Sequence, residues 1–322
     1  MKYRLTHLIL ATVIAVVLPA SLTVAQTVYP EKAIKIIVPY PPGGTTDIVY
    51  RLTAKHLEPI IGKPFIIVNI KGAGGSVGML AAMRAKPDGY TVGTYQTNTE
   101  VAQAVGVAAY TDKDFVPVAL MGEINLTVTA KGDSYIKSLK DLQEAARKQP
   151  GKIGIAMGIG SLAHFAAAAV EDALGVDLKL VNAGGGAKKK AAVLGGHVET
   201  LAEPIAGVLA PHNQGQLRVI AVLGSKQFAG LKGVRTAKEQ GFNLVASQAK
   251  GWFMPAGTPK DRVEIFARAV KQLENDAEYQ RKIKALGVQW DYKTGADFQK
   301  YIDKTEEWVF DIAKKLGYDT KK

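Results

Sequence analysis

The chain has 322 residues, no cysteine, and 41 Lys+Arg against 29 Asp+Glu, a formal charge of +12. With 47% hydrophobic and 22% charged residues it is neither disordered nor collagen-like, and its length suits two packed lobes or one large α/β domain. The missing cysteines exclude a disulfide scaffold, a thiolate zinc site, an iron–sulfur cluster, a catalytic thiol and a lipid-modified N-terminal cysteine, and 7% aromatic residues argue against a stacking platform for single-stranded nucleic acid.

At the N-terminus, Lys2 and Arg4 precede an apolar run from Leu8 to Leu18, broken by Pro19 and followed by small residues down to Ala25. This is the pattern of a secretory signal cut near Ala25. A membrane anchor is the competing reading, but the run falls short of the about 20 residues that a bilayer needs. Removing the two signal cations from +12 leaves +10 on residues 26–322. The basic residues are scattered. The longest run, Lys188-Lys189-Lys190, reads as a solvated face, so nucleic-acid or membrane-surface binding is not indicated.

Ile34–Val38, Phe65–Ile70, Thr91–Tyr95, Leu126–Ala130, Lys152–Met157, Leu178–Asn182, Val198–Ala202 and Leu217–Leu223 read as strands. The first two are apolar on successive residues, as in strands covered on both faces. Asp47–Ile61, Val77–Arg84, Ser138–Lys148, Ser161–Leu174 and Ala187–Leu194 read as helices between them. This alternation predicts an α/β fold with parallel sheets. Further on, Thr258-Pro259-Lys260-Asp261 reads as a helix start capped by Thr258, and the last helix begins at Thr294.

Four predicted strands end in glycine-rich turns that enter helices: Pro41-Pro42-Gly43-Gly44-Thr45-Thr46-Asp47, Gly72–Gly78, Gly158-Ile159-Gly160-Ser161 and Gly184-Gly185-Gly186. Unobstructed backbone N–H groups at a helix N-terminus favour an anion, and such turns lie where open α/β sheets bind ligands. Glycines also serve simply as tight turns, but four at equivalent strand ends point to a site.

Gly158-x-Gly160-x-x-Ala163 imitates the dinucleotide fingerprint, yet the following strand ends in Asn182 rather than an acid, and no P-loop occurs. The four histidines after residue 25 (His56, His164, His197, His212) have no metal-ligand spacing, and no nucleophile elbow surrounds any serine. Ser161 reads as a helix cap that also donates to a ligand. No catalysis, metal or cofactor is expected.

Ile36-Ile37-Val38-Pro39-Tyr40-Pro41-Pro42-Gly43-Gly44-Thr45-Thr46-Asp47 resembles the opening of the Bug (TctC-like) family, the substrate-binding proteins of tripartite tricarboxylate transporters. The likeness continues through Gly72–Gly78, Pro87-Asp88-Gly89-Tyr90-Thr91, Gly160-Ser161-Leu162-Ala163-His164, Gly184–Gly186, Leu194–Val198, Thr236–Gly241 and Pro255-Ala256-Gly257-Thr258-Pro259, in family order.

The resemblance implies a two-lobed periplasmic-binding fold of the type II Venus flytrap kind, each lobe a mainly parallel sheet flanked by helices. Residues 28–125 plus 250–322 would form lobe one and 126–249 lobe two. It implies a periplasmic monomer that captures a small carboxylate (a di- or tricarboxylate, an acidic amino acid or an aromatic acid) and delivers it to membrane permease subunits. A ligand-presenting sensor would need the same closing mechanism. By the same resemblance the ligand-binding residues are Tyr40, Pro42, Gly43, Gly44, Thr45, Thr46 and Asp47 in the first loop and Thr97 and Asn98 in the second. On the facing lobe they are Gly160, Ser161, His164, Gly184, Gly185 and Glu203. Ala202-Glu203-Pro204 departs from the family's Asp-containing pattern, and Lys188–Lys190 replaces mostly neutral residues.

Overall fold

The computed structural model describes residues 29–319, so the export segment lies outside the described residues. In chain order the strands are β1 Ile34–Val38, β2 Phe65–Asn69, β3 Thr91–Tyr95, β4 Phe115–Lys131, β5 Gly154–Met157, β6 Lys179–Asn182, β7 Thr200–Pro204, β8 Leu217–Val222, β9 Ser247–Pro255 and β10 Val288–Thr294. The helices are α1 Thr45–Ile61, α2 Ser76–Met83, α3 Asn98–Ala104, α4 Leu139–Lys148, α5 Leu162–Leu174, α6 Gly186–Leu194, α7 Ile205–Asn213, α8 Lys260–Gln272, α9 Ala277–Ala285 and α10 Gly295–Lys315. Among the described residues no helix is long and apolar enough to cross a membrane.

Two sheets share one strand. In the first, β1 pairs in parallel with β2 and β3, β3 continues antiparallel to β9, and β9 and β10 flank β4 antiparallel. In the second, β5 pairs in parallel with β6 and β7, while β7 and β8 flank the far end of β4 antiparallel. Strand β4 changes sheets near residue 125: Phe115–Asn125 pairs with β9, and Leu126–Lys131 with β7 and β8. The sequence pattern resolves only the second half of β4 and leaves out β9 and β10. Strand β4 serves both sheets at once, and β9 and β10 pair antiparallel beside it without a helix between, so their burial does not follow the strand–helix rhythm. The sheets are consequently mixed, with parallel strands at one side and the crossing strands antiparallel to them.

Strand β1 is buried on both faces, as its sequence predicts. Strand β2 is not: it pairs with β1 alone, at the sheet edge, and Ile66 is largely exposed there. Thr258 does not cap α8. Its hydroxyl instead donates to Pro255 O at 2.7 Å, closing the turn after β9, and Pro259 stands at the cap position.

Helix α10 reaches both lobes. Its first turns bury Phe298 and Ile302 against Tyr95 and Phe253 of the first sheet. Its last turns bury Val309, Ile312 and Ala313 in a second apolar cluster with Phe165 of α5 and Val101 of α3. At 21 residues the helix is about 31 Å long, enough to lie along both bodies.

Candidate functional site

The first corner forms where β1 runs into α1. Gly43 has φ +77°, the left-handed region that favours glycine, and Gly44 is extended (φ −74°, ψ 160°) at the helix N-cap with no side-chain cap. The N–H groups of the first turn therefore have no acceptor inside the helix. Pro42, Gly43, Gly44 and Thr45 are exposed. Asp47 turns back into the protein: its carboxylate accepts from Gly43 N at 2.9 Å, Arg51 Nε at 2.8 Å and Asn69 Nδ2 at 2.8 Å. Burial raises its pKa, but the hydrogen bonds from Arg51, Gly43 and Asn69 outweigh that and hold it below the ordinary value. Asp47 thus fixes the loop. Tyr40 donates to Gly74 O at 2.9 Å and joins the first glycine turn to the second.

The end of β3 supplies the next residues. Thr97 is buried, donating to Ser247 O at 3.0 Å and accepting from Ala249 N at 2.9 Å, so it ties this loop to β9. Asn98 accepts from Gln248 Nε2 at 3.0 Å. Beside them, Gln96 Oε1 accepts from Thr46 Oγ1 at 3.1 Å and from Lys250 Nζ at 2.7 Å.

The facing corner belongs to β5 and β6. Gly160, at φ +68°, lets the chain turn into α5. Ser161 is the N-cap: its oxygen accepts from His164 N at 3.4 Å, and its hydroxyl donates to Gly158 O at 2.6 Å. His164 Nδ1 accepts from Gly160 N at 3.4 Å, and burial lowers its pKa, which favours the neutral ring. Gly184 is left-handed at φ +80°, Gly185 caps α6, and Asn182 Oδ1 accepts from Ile159 N at 3.3 Å.

Glu203 lies between the first residues of α6 and α7. A Cβ on Gly186 would come within 2.5 Å of its Oε1, and one on Gly207 within 2.7 Å. Its charge is met by Lys189, with Nζ 2.5 Å from Oε2 and donating also to Ala202 O at 2.8 Å. The expectation of a solvated Lys188–Lys190 face therefore needs correction. Lys188 is exposed, but Lys189 is only 4% exposed and Lys190 Nζ donates to Gly207 O at 2.9 Å. A carboxylate only partly exposed at two helix starts is balanced by a buried cation, and helical spacing turns the middle lysine inward to supply it.

Asn98, Ser161, Gly184, Gly185 and Glu203 line one cavity of about 440 Å³, together with Asn182, Lys189 and Gln248. A narrow crevice shares Asn98 and is lined by Tyr40, Gly74, Gly75, Thr94 and Gln96. Thr97, Gly160, His164 and the run from Pro42 to Asp47 line neither space; Thr46 reaches the crevice wall through Gln96. Cavities of about 590 and 530 Å³ open elsewhere around Glu123 and Ser225, away from the glycine-rich strand ends. Among the described residues no cluster of His, Asp or Glu could hold a metal ion.

Three residues of this wall escape the sequence reading: Gln96, Gln248 and Lys250. The signal for Gln248 and Lys250 was a lone lysine inside Ser-Gln-Ala-Lys-Gly-Trp-Phe-Met-Pro, a segment otherwise suited to a buried strand.

Residues 49–318 match the family model described as the tripartite tricarboxylate transporter family receptor. The chain belongs to this receptor family. It is 29% identical over 257 residues to Protein BugT of Bordetella pertussis, covering 77% of this chain and 78% of that protein. A TctC solute-binding protein from Polaromonas superposes with a TM-score of 0.80 at 27% identity, over 89% of this chain and 99% of that one. Two Rhodopseudomonas palustris proteins share the fold. MatC with bound malate has a TM-score of 0.71, 23% identity and coverage of 88% and 100%. Rpa4515 with adipate has a TM-score of 0.77, 22% identity and coverage of 90% and 98%. The receptor family has the two-lobed α/β architecture of periplasmic binding proteins, and its members bind substrates rather than transform them.

Proposed function

We propose that this receptor captures a small dicarboxylate between its lobes and delivers it to the permease subunits of a tripartite transporter. The observation that carries the reading is the 440 Å³ cavity in which Asn98 and Gln248 face Ser161 and the Gly184–Gly186 turn. Its size suits a small ligand, and its mixed walls include polar groups at helix starts. The malate and adipate held by proteins of the same fold are short-chain dicarboxylates, in keeping with such a space.

In this reading closure brings the first-turn N–H groups beyond Gly43 and Gly44, which lie outside the cavity, onto one carboxylate, Asn98 lies at the junction, and the Ser161 and Gly184–Gly185 turns receive the rest. Lobe one comprises 28–125 plus 250–322 and lobe two 126–249. The protein acts as an exported monomer, cut near Ala25. A micromolar affinity needs about −8 kcal/mol, within reach of several charge-assisted hydrogen bonds desolvated by closure.

The test is a thermal-shift screen of residues 26–322 against mono-, di- and tricarboxylates. A dicarboxylate at a hundredfold excess over its Kd should add about 2.7 kcal/mol of stability. Stabilisation by none of them, with the protein folded, would overturn the reading.

A further inference from the structure

Lys250 is wholly buried on β9, at the back of the wall that carries Gln96 and Gln248. Its Nζ lies 2.7 Å from Gln96 Oε1, 3.0 Å from Gln248 Oε1 and 3.2 Å from Thr46 Oγ1. None of these partners is charged. Two of them also have their own hydrogens committed elsewhere: Gln248 Nε2 donates to Asn98, and Thr46 Oγ1 donates to Gln96. Three oxygens facing one nitrogen suit the three N–H donors of the ammonium; the neutral amine has two, and its lone pair would have to accept from the Thr46 hydroxyl. Burial works against that charge and pushes the pKa down to about 7.

A second observation bears on the same wall. Gln96 is 1% exposed, and its Nε2 has no hydrogen-bond partner although the residue lines the crevice that shares Asn98 with the cavity. Turning the amide over would set its NH2 against the Lys250 ammonium, so that contact fixes its orientation. A buried donor left open is destabilising. As it stands the crevice is too narrow for a water, so it must widen for an acceptor to reach this donor; the acceptor would then remove that cost, and the Lys250 charge against Oε1 would strengthen the N–H bond toward it.

We infer that Lys250 is the positioning cation of the first lobe: through Gln96 it presents a polarised amide donor to one carboxylate of the ligand, and capture of that anion draws a proton onto Lys250. This rests on the dicarboxylate reading above and adds which residue selects for negative charge. The bound anion favours the ammonium, so the pKa of Lys250 rises on binding. Affinity is then full below pH 7 and falls as pH climbs above it, by up to tenfold per unit.

The other charged groups around this wall behave differently. On α1, Asp47 is paired with Arg51 and held below the ordinary carboxylate range. On α3, Glu100 is buried, with Tyr95 and Tyr110 near it raised above the usual phenol value. On β4, Glu123 accepts from Ser247 and from Tyr301 of α10. Across the cavity, Lys189 pairs with Glu203, and the lowered pKa of His164 keeps it below the window above pH 7.

The experiment is titration calorimetry with malate and with adipate from pH 6 to 9, in buffers of differing ionisation enthalpy. Wild type, Lys250→Met and Gln96→Glu are compared, each checked for folding by thermal melt. For whichever probe binds, wild type should take up protons and lose about tenfold in affinity per unit above pH 7. Lys250→Met should bind at least tenfold more weakly with a flat pH profile. Gln96→Glu gives Lys250 an internal counter-charge, so it should stay folded and lose the anion. A flat wild-type profile with binding intact would overturn the role of Lys250 alone, as would Lys250→Met or a folded Gln96→Glu that keeps wild-type affinity. If neither malate nor adipate binds wild type at any pH, the dicarboxylate reading falls and takes this inference with it.

Discussion

The two corners that face each other use the same local device and are left in different electrostatic states. Both are glycine turns entering helices. In the second lobe the protein supplies its own anion: Glu203 lies at the starts of α6 and α7, neutralised by Lys189. In the first lobe Asp47 turns inward, the extended N-cap Gly44 leaves the first turn of α1 without a side-chain cap, and Lys250 lies behind it among neutral oxygens. The contrast teaches that a glycine-rich helix start marks a place where an anion is favoured, without saying whose anion it is. Under the proposed function the ligand's charge belongs to the first corner, and its remainder meets a second corner that is polar but already balanced.

The strongest way to break this comparison is to unbalance the second corner. Lys189→Met would leave Glu203 uncompensated, and breaking a buried pair costs about 3–5 kcal/mol. Urea denaturation should show a loss of that order, while Lys188→Ala, at an exposed position, should change stability by less than about 0.5 kcal/mol. Equal effects of the two would mean that Glu203 is not held as described.

Next in size is the inward carboxylate of the first corner. The pKa of Asp47 is depressed on folding, so its contribution is present above the ordinary value of 3.8 and is lost as pH falls through the lower folded value. Hydrogen bonds to a charged group contribute about 1.5–3 kcal/mol, so Asp47→Asn should destabilise at pH 7, with the gap to wild type closing in acid. A gap that stays constant from pH 7 to pH 2 would remove Asp47 from its loop-fixing role.

Gly44→Val then tests access to the first corner without straining it. Gly44 is already extended, and a Cβ would find its nearest neighbour at 3.6 Å, so the fold should tolerate the change. Affinity for a bound dicarboxylate should fall at least tenfold, about 1.4 kcal/mol, by calorimetry. Unchanged affinity would move the carboxylate away from the start of α1.

The smallest effect is expected at Ser161. Its hydroxyl is directed to Gly158 O, and its oxygen caps α5. Ser161→Ala should therefore cost about 1 kcal/mol of stability through the lost cap, with a smaller change in affinity. A larger loss in binding than in stability would return to Ser161 the ligand-donating role that its sequence context suggests.

Local chemistry made much of this legible in the sequence. The run Ile34–Val38 is apolar because β1 is covered on both faces, and the cap at Ser161 and the glycine turns follow from backbone requirements that a few neighbouring residues satisfy. The motifs of the receptor family are of this kind, which is why they could be recognised in order along the chain. What the sequence could not determine lies between distant segments. Whether Lys189 points to water depends on Glu203, fourteen residues later, and on the packing of α6 over β7. Lys250 meets Gln96 and Thr46 only because β9 crosses beside β3, which aligns residues 154 and 204 positions apart. Charge is local in the sequence, but its partner, its solvent and hence its protonation are set by the tertiary fold.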